Sequence, residues 1–439
     1  MYLGLDIGTT SICAVVLDGD GKIVYTTTRA NDTHIKSEDG ARMQDAEEIF
    51  SVCETIYKEV LANFKIKSVG VSGQMHGIIY INSDGFSLSP LYSWQDERGN
   101  LPYLNSTYAK TLSEKTGYKM ATGFGCTSLY YDTLNEKIPD GAVSFCTVGD
   151  YVAMRLVRRK SPLINETNAA SLGLYDIKNH TWDKKAILSA GLSESLFPEV
   201  SSEVTLLGVR GDGAAIYTAI GDNQASVYGA EQSVDSLIIN IGTGSQISVI
   251  TEEYITPPDE CEIRPYFNGK YLALGCALCG GYSYKLLRDF YNSIFGGEEK
   301  ITYEDMNEWA KEAYGGDTPS LSPLFRGTRT NPSLRATLTD ISDTNFNARA
   351  LTLATLKGIS GELKNFYNML TPVTRKRDNL IASGNAIRMN PTLRRIIEED
   401  YGLSLKIPEH KEEAAFGAAL VAAEVFEGKN LKKFIRYTR

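Results

Sequence analysis

At 439 residues the chain is too long for one ordinary hydrophobic core and suits two domains of roughly two hundred residues each. Its 42% hydrophobic and 23% charged residues exclude a disordered chain, which would lack the side chains to build a core. The formal net charge of −9, with no dense run of Lys and Arg, excludes an electrostatic footprint for nucleic acid or an anionic membrane. Phosphate ligands stay open, because backbone amides can hold them without side-chain charge.

The opening residues Met1 to Asp6 already form a strand pattern, with neither the basic nor the apolar region of a signal peptide. No run of about 18 apolar residues follows anywhere, so a cytosolic protein is expected. The seven cysteines, odd in number and scattered, read as free thiols. Cys276-Ala-Leu-Cys279 has no second pair or nearby His and reads as a packed segment, and four histidines are too few for a His-rich metal site.

An internal repeat organises the chain. Leu3 to Val16 reads LGLDIGTTSICAVV and Leu237 to Ile250 reads LIINIGTGSQISVI. Each copy predicts a β-hairpin with a tight Gly-Thr turn, whose N–H groups can form a nest for phosphate oxygens. Either copy alone is more readily a plain hairpin; two copies about half a chain apart point to a clamp for a polyphosphate. Between them, 46–64 has helical periodicity and Lys67 to Ser72 reads as a buried strand, with apolar segments at 143–148 and 214–220. Beyond the second copy, 347–370 and the Ala-rich 412–427 read as helices. The alternation predicts α/β layers in two halves, 1–232 and 233–439, divided near Gln232.

No P-loop of the Walker type and no protein-kinase catalytic or metal loop is present, so any ATP site is of another kind. Asp6, ending the first strand beside Gly8-Thr9-Thr10, could hold Mg²⁺ bridging ATP phosphates or could simply satisfy turn amides. Its counterpart in the second copy is Asn240, so only one half would supply charge. Asp222, in Gly-Asp-Asn-Gln, follows an apolar run and precedes a segment able to start a helix; it is equally a helix cap or a catalytic carboxylate. A helix N-terminus should lower its pKa, which phosphoryl transfer tolerates because it asks mainly for positioning and late proton acceptance.

Gln74-Met75-His76-Gly77 follows a buried strand, placing its side chains where open α/β sheets bind ligands. Trp94-Gln-Asp-Glu-Arg98 adds an aromatic face with polar neighbours suited to a polyol. Singly, His76 and Trp94 are each as readily structural; together they point to a sugar. Gly384-Asn385, after an apolar strand, could let an adenine ring lie against the backbone or could be a turn, and Asn390-Pro391 opens a helix.

The ordered set LGLDIGTT, GQMHG, WQDER, GDNQAS, IGTGS, SGNAIRMN and EEAAFGAAL spans nearly the whole chain and resembles the FGGY carbohydrate kinases. Gly149-Asp150-Tyr151 and Thr167-Asn168-Ala169-Ala170 also fit. The resemblance implies an α/β protein of two actin-like, ribonuclease-H-like ATPase domains with a cleft between them, the first binding sugar and the second ATP. It implies Asp222 as catalytic base, with Gln74, Met75, His76, Trp94 and Asn223 around the sugar. Thr9, Thr10, Gly242, Thr243 and Gly244 would meet phosphates, Gly384, Asn385 and Asn390 would line the adenosine site, and Asp6 would serve Mg²⁺.

The Gln-Met-His-Gly form resembles the ketose-phosphorylating branch, and Ala121 to Cys126, Val148 to Asp150 and Ser322 to Gly327 resemble members acting on sedoheptulose, with xylulose or another polyol the alternative. Gly327-Thr328-Arg329 departs from the Gly-Glu-Arg usual in that region. An actin-like, ATP-gated switch and a sugar-sensing pseudokinase are the competing classes; the former needs no Gln74-Met75-His76 and the latter no intact Asp6 and Asp222. The partner expected is a small-molecule sugar, with no nucleic acid or membrane and a homodimer as the default assembly.

Overall fold

In the computed structural model, which describes residues 1–37, 39–329, 331–428 and 430–438, both copies of the repeat fold as hairpins. The first pairs Tyr2–Ile7 with Ser11–Leu17 and the second pairs Ser236–Ile241 with Ser245–Thr251. Four residues, 8–11, lie between the paired Ile7 and Ile12, against three, 242–244, between Ile241 and Ser245, so the second turn is the tighter.

The repeat runs further than the hairpins. A parallel strand lies beside the first strand of each: Ser68–Gly73 on Tyr2–Ile7, and Asn379–Ser383 on Ser236–Ile241. The registers set Asp6 beside Ser72 and Asn240 beside Ser383. Side chains join both pairs: the Ser72 hydroxyl donates to Asp6 Oδ1 at 2.8 Å, and Asn240 Nδ2 donates to Ser383 Oγ at 2.8 Å.

The chain divides into two compact units, each with its own sheet and core. In the first, the sheet runs Leu206–Val209, Ala215–Tyr217, Ser68–Gly73, Tyr2–Ile7, Ser11–Leu17, Ile23–Ala30. Its central strands are buried on both faces, Tyr2–Ile7 through apolar side chains and Ser68–Gly73 through valines set between small Ser and Gly. Helix Ala46–Asn63 starts where the Asp45 carboxylate accepts from the amides of Glu47 and Glu48, and buries Ile49, Cys53, Ile56, Tyr57 and Val60, a stripe at helical spacing. The apolar stretch at 143–148 gives only the short strand Ser144–Cys146, because Thr147 and Asp150 form a capping box that starts helix Val148–Leu156. In the second unit the strands follow the order Lys270–Ala277, Ser245–Thr251, Ser236–Ile241, Asn379–Ser383, Leu405–Pro408, Tyr437–Thr438. Helix Ala348–Thr374 packs on that sheet, with Phe366 set against Gly275. No helix among the described residues is long and apolar enough to cross a membrane.

The expected second half, 233–439, is not one piece. Unit one comprises Met1–Gly229, Arg264–Gly269 and Glu412–Ile435, so helix Glu413–Glu427 belongs to it. The reason lies in two glycines paired across the sheet, Gly4 and Gly70. A Cβ on Gly4 would stand 1.9 Å from the Ala415 carbonyl oxygen, and one on Gly70 2.0 Å from that of Ala418. The alanines of the helix and the bare backbone of the strands allow a contact closer than ordinary side chains permit, and the helix is buried along Ala414 to Ala423.

Candidate active site

Three parallel strand ends lie side by side in the first unit. Tyr2–Ile7 runs into the turn Gly8-Thr9-Thr10, and Ser68–Gly73 runs into Gln74-Met75-His76. The short strand Ile220–Gly221, set against Ser72 and Gly73, runs straight into Asp222, the first residue of helix Asp222–Ala230. Carboxyl ends of neighbouring parallel strands are where open α/β sheets place their ligands. Asp6, Gln74, Met75, His76 and Asp222 are thereby gathered although the first and last lie more than two hundred residues apart in sequence.

The turn is fixed through its carbonyls. Asn31 Nδ2 donates to Gly8 O at 2.8 Å, Gln44 Nε2 to Thr9 O at 3.0 Å and the Asn31 amide to Thr10 O at 2.9 Å. With its carbonyls held there, the turn offers N–H groups and threonine hydroxyls elsewhere. Gln74, buried, donates to Gln44 Oε1 at 2.8 Å, so the end of Ser68–Gly73 and the turn Gly8-Thr9-Thr10 share one hydrogen-bond chain. The Trp94 indole N–H donates to Thr9 Oγ1 at 2.9 Å while 46% of the residue stays exposed. Its neighbours Asp96 and Arg98 are not ligand groups but scaffold. Both are buried: Arg98 is clasped by Asp96, reaches Asp132 at 2.7 Å and lies over the Tyr92 ring at 4.0 Å, which anchors the Trp94 segment.

His76 has φ 74, uncommon for a side chain larger than Gly and a mark of a residue fixed by its surroundings. Its amide donates to Ser171 Oγ at 3.1 Å and its Nδ1 lies 2.6 Å from Ser171 O, while the ring stacks on Phe124 at 4.6 Å. A carbonyl only accepts, so Nδ1 carries the hydrogen of this contact. The same short helix, Glu166–Leu172, steadies the strand that leads into Asp222: Thr167 Oγ1 accepts from the Gly221 amide at 3.1 Å, and Asn168 bridges Asp150 Oδ1 and Ala219 O. Met75 lies against Gly221, where a Cβ would stand 2.8 Å from its sulfur.

Asp222 is not the weak base expected from its place at a helix start. Burial first, and then the Asp6 charge, push its pKa up to about 7, against which the Asn223 amide and Arg264 pull down less strongly. Taking a carboxylate out of water costs more than a single turn of helix returns, which is why the helix-end argument from sequence gave the wrong direction. Asp6 is raised to about 6, by burial chiefly, with the Ser72 hydrogen bond opposing and Glu412 adding.

The second unit builds a matching backbone site around Gly242-Thr243-Gly244. The Gly280 amide donates to Thr243 O at 3.0 Å, the Gly281 amide to Gly242 O at 2.8 Å and the Tyr282 amide to Thr243 O at 3.0 Å, so the N-terminus of helix Gly281–Ser293 is laced to the turn. Gly384, φ 92, follows the strand Asn379–Ser383; a Cβ there would lie 2.4 Å from Ile241 O, so the loop rides directly on the hairpin, and Asn385 starts the next short helix. Asn390 stands apart. Its oxygen caps helix Pro391–Tyr401 through the Leu393 amide at 2.9 Å and its nitrogen donates to Asn307 at 2.8 Å, so both ends of this buried side chain are taken up by the fold rather than offered to adenosine.

Residues 1–229 match the N-terminal domain of the FGGY family of carbohydrate kinases, and residues 237–424 match its C-terminal domain. The chain belongs to that family. It is an ATP-dependent sugar kinase, which removes the actin-like switch as a description of it. The sedoheptulokinase of Homo sapiens is 27% identical to it, over 95% of this chain and 96% of that protein. A xylulose kinase of Staphylococcus epidermidis is 22% identical, over 96% of this chain and 87% of that one. Among solved structures, the gluconate kinase of Lactobacillus acidophilus shares the fold with a TM-score of 0.85 at 20% identity, over 100% of this chain and 92% of the other.

For this FGGY kinase the residues at hand suit a metal ion brought by the nucleotide rather than a resident one. Among the described residues no three or more His, Cys, Asp or Glu cluster as ligands. Asp6 and Asp222 are the carboxylates at the strand ends, and Mg²⁺ held mainly by phosphates and water needs only one or two. Four supporting residues were not singled out from sequence: Asn31 and Gln44 behind the first turn, and Gly280 and Gly281 behind the second. The Gly-Gly pair opening a helix was a legible signal; Asn31 and Gln44 gave none.

Proposed function

We propose that this kinase transfers the γ-phosphate of MgATP to the terminal hydroxyl of sedoheptulose, with Asp222 as the catalytic base. The hydroxyl oxygen attacks phosphorus as its bond to the bridging oxygen of ADP breaks, and the hydroxyl proton passes to the Asp222 carboxylate. The observation that carries this reading is the Asp222 pKa near 7, the range in which a carboxylate is still ionised in part at neutral pH and basic enough to take a proton late in transfer. Asp6 shares the strand-end cluster and would hold Mg²⁺, which when bound neutralises developing charge on the phosphates.

In this reading Trp94 offers a face to the sugar chain, and His76, Gln74, Met75 and Asn223 complete its surroundings. Thr9 and Thr10 from one hairpin, and Gly242, Thr243 and Gly244 from the other, take the phosphates. Gly384 and Asn385 meet adenosine, with Asn390 acting only by setting the helix behind them. Sedoheptulose is preferred over D-xylulose because the sedoheptulokinases of mouse and man match across 95% of the chain, and the xylulose kinase is less similar.

The test is a coupled ADP-release assay with MgATP and sedoheptulose, D-xylulose, D-ribulose, L-ribulose, glycerol or gluconate, with a no-sugar control. Release fastest with sedoheptulose is the expected result. A higher kcat/KM for D-xylulose would replace the substrate while keeping the chemistry, and release indifferent to sugar would overturn both.

A further inference from the structure

We propose that Arg326 is a further nucleotide-binding residue, supplying to the terminal phosphates of ATP the positive charge that the glycine hairpin of the second unit lacks. This rests on the reading of Gly242-Thr243-Gly244 as the phosphate turn. The Gly280 and Gly281 amides are spent on the turn's carbonyls, which leaves the turn its own N–H groups and the Thr243 hydroxyl, and Asn240 stands where the first hairpin has a carboxylate, so no side chain of the turn carries charge.

Arg326 is tied to this site by backbone and ring. The amides of Phe325 and Arg326 hydrogen-bond to the sulfur of buried Cys279, one residue before Gly280, whose own amide donates to Thr243 O at 3.0 Å. The Arg326 guanidinium lies 3.9 Å over the ring of Tyr282, and the Tyr282 amide donates to that same Thr243 carbonyl at 3.0 Å. The guanidinium is thus held over the ring of a residue whose own amide is bonded to the turn, with N–H groups left for an anion.

Nothing nearby neutralises it. Arg326 is exposed and among the described residues has no carboxylate partner, whereas its neighbour Arg329 is paired with Glu262 at 2.7 Å. The segment Pro323 to Asn331 contains no acidic residue. An unpaired arginine stacked beside a cradle of amides is the arrangement that recognises phosphate by charge-assisted hydrogen bonds.

The experiment is calorimetric titration of the full-length protein with ATP, ADP and adenosine in Mg²⁺ buffer, for the wild type, Arg326→Gln, Arg326→Lys and Gly242→Ala. Arg326→Gln is expected to weaken ATP about tenfold or more and ADP less, with adenosine unchanged and Arg326→Lys partly restoring ATP. Unchanged ATP affinity in Arg326→Gln, or equal loss for ATP and adenosine, overturns the assignment. Gly242→Ala separates the two readings, because a Cβ there meets nothing within 4 Å, so the variant folds and only the ligand side of the turn is altered. Loss of ATP binding in Gly242→Ala with none in Arg326→Gln would leave the phosphate turn standing and remove Arg326; no loss in either would remove both.

Discussion

The two hairpins share a strand pairing and differ in turn length and in the side chain at the end of their first strand. In the first unit Asp6 takes a hydrogen bond from Ser72 across a parallel register; in the second Asn240 gives one to Ser383 in the same place. The first site holds carboxylates raised by burial, Asp6 to about 6 and Asp222 to about 7, while the second is built from glycine amides. On the proposed reading a duplicated scaffold carries two chemistries: one half keeps carboxylates for proton and metal work, and the turn of the other holds none that would repel a polyphosphate.

Breaking the comparison at its active side has the largest expected effect. Asp222→Asn should lower kcat by about 10³-fold, within the range general bases contribute, with ATP affinity kept in titration calorimetry. The same variant should melt higher. Both carboxylates have folded pKa values raised above their unfolded ones, so the folded state favours the proton, and their contribution to stability declines as pH rises from about 4 to about 7. Asp222→Asn should flatten that decline in thermal melts across this range.

The packing of the two sheets gives the next effect. Gly4 meets helix backbone, which cannot yield, whereas Gly275 meets the Phe366 side chain, which can shift in part. Gly4→Ala should destabilise unit one by about 3 kcal/mol or more and Gly275→Ala should cost less, as read by urea unfolding.

Asp6→Asn turns the first hairpin toward the second. It should reduce turnover by about 10²-fold and, by removing the charge that raises Asp222, move the lower limb of the kcat/KM profile to lower pH. The converse, Asn240→Asp, should raise the KM for ATP about tenfold, through repulsion of phosphate by a new carboxylate.

Much of this was legible in the sequence. LGLDIGTT and LIINIGTG announced the hairpins, because glycine turns between apolar runs have few other solutions. Gln74-Met75-His76 and Asp222 were placed correctly at strand ends, since apolar strands predict where their C-terminal residues emerge. What stayed hidden depends on three-dimensional neighbours. The rise in the Asp222 pKa comes from burial beside Asp6, and the return of helix Glu413–Glu427 to the first sheet from the paired Gly4 and Gly70. Asn390 looked like a ligand group, but it precedes Pro391, and an Asn before a helix-opening proline is itself a capping signal.

The most direct test of the central claim is single-turnover transfer of γ-labelled phosphate from ATP to sedoheptulose, followed from pH 5 to 9 in the wild type and Asp222→Asn. The account predicts a wild-type rate that rises through about pH 7 and then levels, and a variant that loses both the rate and the step. An Asp222→Asn protein that keeps the step near pH 7, or transfers at more than a tenth of the wild-type rate, would contradict it.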